Sequence, residues 1–256
     1  MSDERPVPRS LSPGARIGTL LRSLVVQGSW NYRSMLGSGF GYAMLPGLRD
    51  VFGEDRYALE RALERHVDHF NAHPYLSGVA LGAALRLEAD GAGDEAIRRF
   101  KVAVRGPLGS LGDGLVWATW LPLVALAALA AYGLGVPGWG SALGFVLVYN
   151  VGHLGLRVWG LRVGWESGRD VGAVLAKADL AGQTARLQPW TAGLLGVVLG
   201  AWVAGERGLG GLSPVWLVGA ALAFGVGVAF GHRAWRPAAV VTVVAVVVLS
   251  TWGVLS

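Results

Sequence analysis

Three histidines, His66, His69 and His73, follow one another at i, i+3 and i+7 with Asp68 among them. On a continuous helix that spacing gathers imidazoles on one face. Three such ligands would hold a zinc ion whose bound water serves as a nucleophile, the arrangement of a membrane-embedded hydrolase. Against this, the H-E-x-x-H pattern is absent and no Glu stands where a general base is needed. A solvated or partner-facing helix accounts equally well for the three residues. A second constellation is built from amides, an indole and a carboxylate. Gln27, Trp30 and Asn31 fall within about one helical turn, Asn71 and His73 sit where a helical pattern breaks, and Asp113 sits at a glycine-rich break. Polar groups at helix breaks inside a membrane are costly unless partnered, which makes them functional candidates. Each also has a structural reading: Trp30 as an interfacial anchor, Gln27 and Asn31 as caps or bridges to a partner, Asp113 as the cap of the next helix. Other apparent motifs fail on context. GSGFG at Gly37–Gly41 follows no strand and completes no dinucleotide fingerprint, and GPLGSLGDG lacks the Lys-Ser/Thr end of a phosphate-binding loop. No serine sits in a nucleophile elbow. His153 would titrate near neutrality if solvated, though such a histidine is more often packed and hydrogen-bonded.

The elements that position these residues belong to a membrane protein. Hydrophobic residues make up 53% of the 256-residue chain and charged residues only 15%, and the mean hydropathy is +0.47, well outside ordinary soluble composition. Forty glycines suit close helix packing and broken helices at membrane depth. The absence of cysteine excludes disulfides, thiol catalysis and Cys-ligated zinc. The net charge of +5 comes without a basic and aromatic ribbon, so nucleic acid is not an expected partner. The opening MSDERPVPRSLSPGAR places acids and prolines where an export signal needs a basic region and an apolar core, so no cleaved signal is expected.

Helical periodicity is expected over Arg22–Met35 and Tyr57–His73, with Ile17, Leu20, Leu21, Leu24 and Val25 on one face and Leu59, Leu63, Val67 and Phe70 on another. Pro74 disfavours helical geometry at His73, and the apolar PYLSGVALGAAL that follows suits a hairpin dipping into the bilayer. After Asp113 come the runs Leu115–Val136, Ser141–Leu156, Pro189–Ala204, Pro214–Phe230 and Pro237–Leu255, measured against the about 20 apolar residues of a spanning helix. The fold expected is an all-α integral membrane protein. Amphipathic helices and re-entrant hairpins occupy residues 1–113, a cytoplasmic or interfacial region, and about five apolar helices form a polytopic region over 114–256. Between the second and third runs, Arg157–Gln188 reads as a cytoplasmic loop, with Arg157, Arg162, Arg169, Lys177 and Arg186 against Glu166, Asp170 and Asp179. The positive-inside rule then puts the N-terminus in the cytoplasm and the C-terminus outside.

The blocks QGSWNYRSM, FGYAMLPGLRD, FNAHPYL, KVAVRGPLGSLGDG and YNVGHLGLRVWGLRVGWESG together resemble the signature blocks of the IID subunit of mannose/fructose/sorbose-family sugar phosphotransferase permeases, in the family's order and spacing, over roughly Leu20–Leu175. The resemblance implies a multi-pass subunit of the bacterial inner membrane that pairs with a IIC subunit, in a higher oligomer of such pairs, to move a hexose through the lipid bilayer. Phosphoryl groups from phosphoenolpyruvate travel on histidines of cytoplasmic IIA and IIB subunits, and IID itself is non-catalytic and needs no cofactor or metal. Three positions depart from the family: Gly114 follows Asp113 where proline is usual, Leu121 rather than arginine precedes Pro122, and the connection between the last apolar runs shrinks to GERGLGGLS. That last departure leaves room for a transport-inactive scaffold or a signalling component of a partial system. A hexose offers hydroxyls and patches of C–H, so its site wants amides, carboxylates and an aromatic platform. Asn71, His73, Gln27, Asn31, Trp30 and Asp113 supply those groups.

Overall fold

The computed structural model describes residues 11–206, and everything in them is helix, turn or loop. The apolar runs at 214–230 and 237–255, most of the shortened connection, and the C-terminus whose side of the membrane was inferred lie outside the described residues. The elements are α1 (Pro13–Ser23), α2 (Gly37–Phe52), α3 (Arg56–Val67), α4 (Ser77–Ala89), α5 (Asp94–Gly112), a π-helical segment (Asp113–Trp120), α6 (Leu121–Gly133), α7 (Gly138–Ser167), a 3-10 turn (Gly168–Asp170), α8 (Val171–Ala178) and α9 (Leu180–Glu206). Among the described residues two continuous stretches, Asp94–Gly133 and Gly138–Leu199, are long and apolar enough to cross a membrane.

Contacts group the chain into two compact units, one holding it up to Asp113 together with Val151–Leu180, the other Gly114–Asn150 and the residues from Ala181. In the first unit α1 starts on a Ser12 cap whose hydroxyl accepts from the Ala15 amide, with Pro13 preset at the first helical position. Asp55 caps α3 in the same way, accepting from the Ala58 amide at 3.0 Å. The core is Phe40, Met44 and Leu48 of α2, Phe70 and Leu76 of the loop between α3 and α4, Leu81 and Leu85 of α4, and Ile97 and Leu108 of α5, all fully buried. Phe40 and Phe70 meet ring to ring at 4.4 Å.

The centre of this unit is α4, buried on nearly every side. It reaches that position because Gly78 and Gly82 face Gly160 and Gly164 of α7, a four-residue spacing on both helices. A Cβ at Gly78 would lie 2.9 Å from the Arg157 carbonyl oxygen, and one at Gly160 3.0 Å from the Val79 amide nitrogen. At Gly82 and Gly164 a Cβ would collide with the carbonyl oxygens of Leu161 and Val79. Backbone therefore packs on backbone, the close approach that paired small-xxx-small motifs allow.

The second unit, described by itself, opens on the π segment. Pro122 carries no N–H and its ring crowds the carbonyl four residues earlier, which favours a widened turn before it. The Thr119 hydroxyl donates to the Gly114 carbonyl at 2.9 Å, satisfying a group of that widened turn. α6 buries only Val124, and Leu129, Leu143, Val146 and Leu147 are exposed, an outward apolar surface suited to lipid or a partner helix.

Three expectations need correction. The chain from Leu24 to Leu36 is a series of turns rather than a helix. The Asn31 amide captures the local backbone, Met35 takes a left-handed φ of 53°, and the Leu36 amide donates to the Phe70 carbonyl at 2.8 Å instead of back along a helix. The second helix ends at Val67, six residues before His73, because Asp68 turns to an extended ψ of 163°. Arg157–Gln188 is almost wholly helical. Its charges line helices, as in the i,i+4 pair of Arg162 with Glu166 at 2.8 Å.

Gly82→Ala or Gly164→Ala should destabilise the detergent-solubilised chain by about 1–3 kcal/mol through overpacking, whereas Gly155→Ala, with nothing within 4 Å in the same helix, should be neutral or stabilise by about 0.5–1 kcal/mol. Thermal unfolding of the three variants reads the contrast.

Candidate functional site

The turns of residues 24–36 and the loop of residues 68–76 are stitched together by backbone. Phe70 donates its N–H to Ser34 O at 3.2 Å, Leu36 returns the bond to Phe70 O, and Met35 bridges Phe70 in parallel. This brings the Gln27–Asn31 turn beside the chain that carries Asn71 and His73. Within the turn Asn31 acts as a structural cap. Its Oδ1 accepts from the Arg33 and Ser34 amides at 3.0 and 2.9 Å, and its Nδ2 donates to Ser29 O and Ser34 Oγ. Both amide hydrogens and both oxygen lone pairs are thereby used. Gln27, Trp30 and Asn71 are exposed. Trp30 pairs edge-on with Tyr32 at 4.8 Å, and Tyr32 is 85% accessible. Asp113 is exposed at the first residue of the π segment.

His73 is buried, and Gly112 closes over it: a Cβ at Gly112 would collide with the His73 side chain. Pro74 holds His73 out of helical geometry, and the turn is fixed by the Ser77 amide on His73 O at 2.9 Å and the Ser77 hydroxyl on Pro74 O at 2.7 Å. The Tyr75 amide donates to His73 Nδ1 at 3.2 Å, so that nitrogen carries no proton. The Tyr75 ring is the centre of a cluster. His73 meets it edge-on at 5.1 Å, His153 stacks on it at 4.1 Å, and the Arg157 guanidinium lies 5.0 Å from its centroid. Arg157, 2% exposed, donates from Nε to His153 Nε2 at 2.8 Å and from Nη1 to the carbonyl and hydroxyl of Ser23 at the end of α1. An obligate donor facing His153 Nε2 leaves that nitrogen unprotonated as well.

Behind the loop, the end of α3 is anchored by a buried ionic network. Arg65 grips Glu88 with two bonds, Nε to Oε1 at 2.7 Å and Nη2 to Oε2 at 2.6 Å, and reaches Asp94 at 3.1 Å. His66 Nε2 donates to Glu88 Oε1 at 2.7 Å. Lys101 donates to the carbonyls of Arg65 (2.7 Å) and His66 (3.3 Å) at the C-terminal end of α3, where a cation also answers the helix dipole. Burial lowers the His66 imidazole to about 4, overcoming the pull of Glu88. Geometry agrees: the neutral ring needs one donor and spends it on Glu88, whereas an imidazolium would bury a second N–H at Nδ1, an atom without a hydrogen-bond partner. Burial pushes Glu88 upward, but the hydrogen bonds from Arg65 and His66 outweigh it and hold the carboxyl below its ordinary range.

The three histidines are therefore dispersed. His66 faces Glu88 in the core, His69 lies 3.1 Å from Arg105 at the surface, and His73 lies under Gly112. The zinc arrangement presupposed a helix that runs to His73, and among the described residues no group of three or more His, Cys, Asp or Glu is placed to hold a metal ion. Sequence reasoning missed Arg157, which it counted as a loop charge, and also Tyr75 and Glu88. The available signal was an arginine four residues after His153, at the end of the uncharged stretch Gly138–Leu156, since ionisable groups at such positions are retained for a partner or a function.

A family model described as the PTS system mannose/fructose/sorbose family IID component matches residues 10–205, well over half of the chain. The chain belongs to this family. This IID chain is 37% identical to the PTS system mannose-specific EIID component of Escherichia coli K12 over 162 residues, 60% of its own length and 56% of that protein's. It is 32% identical to the fructose permease IID component of Bacillus subtilis 168 over 192 residues, 72% and 66% of the two lengths. The match therefore spans little more than half the length of the E. coli relative. Among solved structures, a chain in the cryo-EM structure of the mannose transporter ManYZ with microcin E492 (MceA) aligns at a TM-score of 0.58 and 30% identity, covering 76% of this chain and 72% of that one. A second, described as the structure of a membrane protein, aligns at 0.66 and 31% identity with the same coverage.

Two measurements test the ionic anchor. Removing the Glu88 charge as Glu88→Gln leaves the buried Arg65 with only the half-exposed Asp94 carboxylate and should cost about 3 kcal/mol of stability. The unfolded chain protonates His66 near 6.5 and the folded chain only near 4, so the unfolded state holds the extra proton between those values. Stability from this group is thus complete above 6.5 and falls as pH drops toward 4, with Glu88 adding a further loss on acidification below its ordinary 4.5. Denaturation midpoints across that range should decline toward acid in the native chain.

Proposed function

We propose that this chain is the membrane subunit that pairs with a IIC partner to form the translocation unit of a mannose-type, phosphoenolpyruvate-dependent hexose transport system. The family match over residues 10–205 carries this reading, supported by the likeness to a chain of the ManYZ structure. The subunit performs no phosphoryl chemistry. The phosphohistidines belong to the cytoplasmic IIA and IIB partners, and the sugar is phosphorylated on IIB as it arrives. Higher oligomers of IIC–IID pairs, re-entrant packing of the first region and about five apolar helices complete the proposed architecture in the bacterial inner membrane.

The sugar-facing surface is assigned to the joined loops of residues 27–36 and 68–76. Exposed Trp30, with Tyr32 at its edge, offers an aromatic platform for sugar C–H, and exposed Asn71 and Gln27 offer amides to hydroxyls. Asn31 shapes the turn that presents them. His73, beneath Gly112, orients the loop and Tyr75, while Asp113 stands at the adjoining helix break. A transport-inactive scaffold is the second reading, motivated by the shortened GERGLGGLS connection.

Vesicles containing this chain with its IIC, IIB and IIA partners, offered a panel of labelled hexoses, should take up at least one in proportion to the phosphoenolpyruvate consumed. Asn71→Ala should lower that uptake roughly tenfold, the effect of one lost hydrogen bond to a hydroxyl, with the IIC complex intact on gel filtration. An intact complex that takes up no hexose would favour the scaffold. A C-terminal alkaline phosphatase fusion should be active and a C-terminal fluorescent-protein fusion dark, reporting an external C-terminus; a cytoplasmic N-terminus should make an N-terminal fluorescent-protein fusion bright.

A further inference from the structure

A groove of about 420 Å³ lies between α1 and the C-terminal half of α7, lined by Leu11, Ile17, Leu20, Val158, Leu161 and Trp165 and rimmed by Arg16, Arg162 and Glu166. Its depth in the bilayer is fixed by the charge pattern of α7. From Gly138 to Leu156 that helix carries no charged residue, and then come Arg157, Arg162, Glu166 and Arg169. Arg157 turns into the protein, so Arg162 is the first exposed charge where the helix leaves its apolar stretch. Trp165, one turn later, has the residue type that populates the headgroup level. On the opposite wall α1 exposes Ile17 and Leu21, each at 58%, beside Arg16 and Arg22, the composition of a helix lying in the interface. The groove is apolar within and cationic at its mouth. Glu166 neutralises one of the two arginines, pairing with Arg162 Nε at 2.8 Å, and a guanidinium has five N–H donors of which that bond uses one. The rim therefore keeps a net positive charge.

We propose that this groove binds an anionic phospholipid, with one acyl chain along Ile17, Leu20, Val158 and Leu161 and the phosphate between Arg16 and Arg162. Apolar walls alone would accept any lipid. The two arginines select for negative headgroups. By holding both α1 and α7, the lipid clamps the ends of the two helices that Arg157 and Ser23 join.

The test uses the full chain, purified in detergent and stripped of lipid, with dioleoylphosphatidylglycerol or dioleoylphosphatidylcholine added back and bound lipid counted by native mass spectrometry. The native chain should retain the anionic phosphatidylglycerol preferentially. Arg16→Gln with Arg162→Gln should remove the preference, at roughly fivefold for each arginine lost. Both side chains are exposed, so the double variant keeps the fold. Arg99→Gln, which breaks a comparable exposed pair with Glu95 on α5, should leave the preference intact. In addition, p-benzoylphenylalanine replacing Ile17 in living cells should yield a lipid adduct on irradiation. Equal retention of both lipids by the native chain, an unchanged preference in the double variant, or an adduct to a polypeptide would each overturn the assignment, the last in favour of a protein occupant.

Discussion

Two helices whose backbones touch set the terms for the rest of the first unit. α4 lies against α7 with Gly78, Gly82, Gly160 and Gly164 at the crossing, and no side chain stands between the Gly82 and Leu161 backbones or between Gly164 and Val79. In lipid there is no hydrophobic gain from pairing two greasy helices, so close van der Waals contact has to hold them. Once α4 is fixed, Leu85 is in place to fill the space that Gly47 of α2 leaves open, and the loop before α4 delivers Tyr75 to His153 and Arg157 on the same α7 face. The joined loops of residues 24–36 and 68–76 are thus placed by a packing decision made by four hydrogen atoms.

Close packing raises the stakes for every charge left inside. Arg65, Glu88, His66 and Lys101 are buried together, and the arrangement persists because each has a matched partner: a two-bond grip, a neutral ring donating once, and an ammonium on two helix-end carbonyls. Their common effect is to anchor the end of α3, so that the Asn71–His73 loop leaves from a fixed point. Arg157 does the same at the other end of the unit by holding Ser23 as α1 finishes.

The sequence conveyed the helical, membrane-embedded character and the family blocks, because composition and block order survive without knowledge of packing. It did not convey where helices end. The hydrophobic spacing through Leu24 and Val25 looked helical, yet Asn31 offers the backbone bonds that a helix would otherwise supply, and Phe70 offers a distant partner that no local pattern encodes. The histidine trio looked like a metal set for the same reason: its geometry depended on a helix that Asp68 terminates. In the segment from Arg157 to Gln188 the charges lie on helices rather than in a loop, with Arg157 interior and Arg162 paired along the helix. The six residues expected to face sugar do fall on two joined loops and an adjoining helix break, but spacing could not show that Asn31, exposed like Asn71, spends its amide on its own turn.

Hydrogen–deuterium exchange of the full chain in detergent tests the α4–α7 contact most directly. The amides of Leu81–Leu87 should exchange more slowly than those of α1, and a methyl group added at Gly82 should speed exchange in α4 and around Gly164 of α7 together while α6 stays unchanged. Acceleration confined to α4, or none in either helix, would contradict the claim that the two backbones support one another.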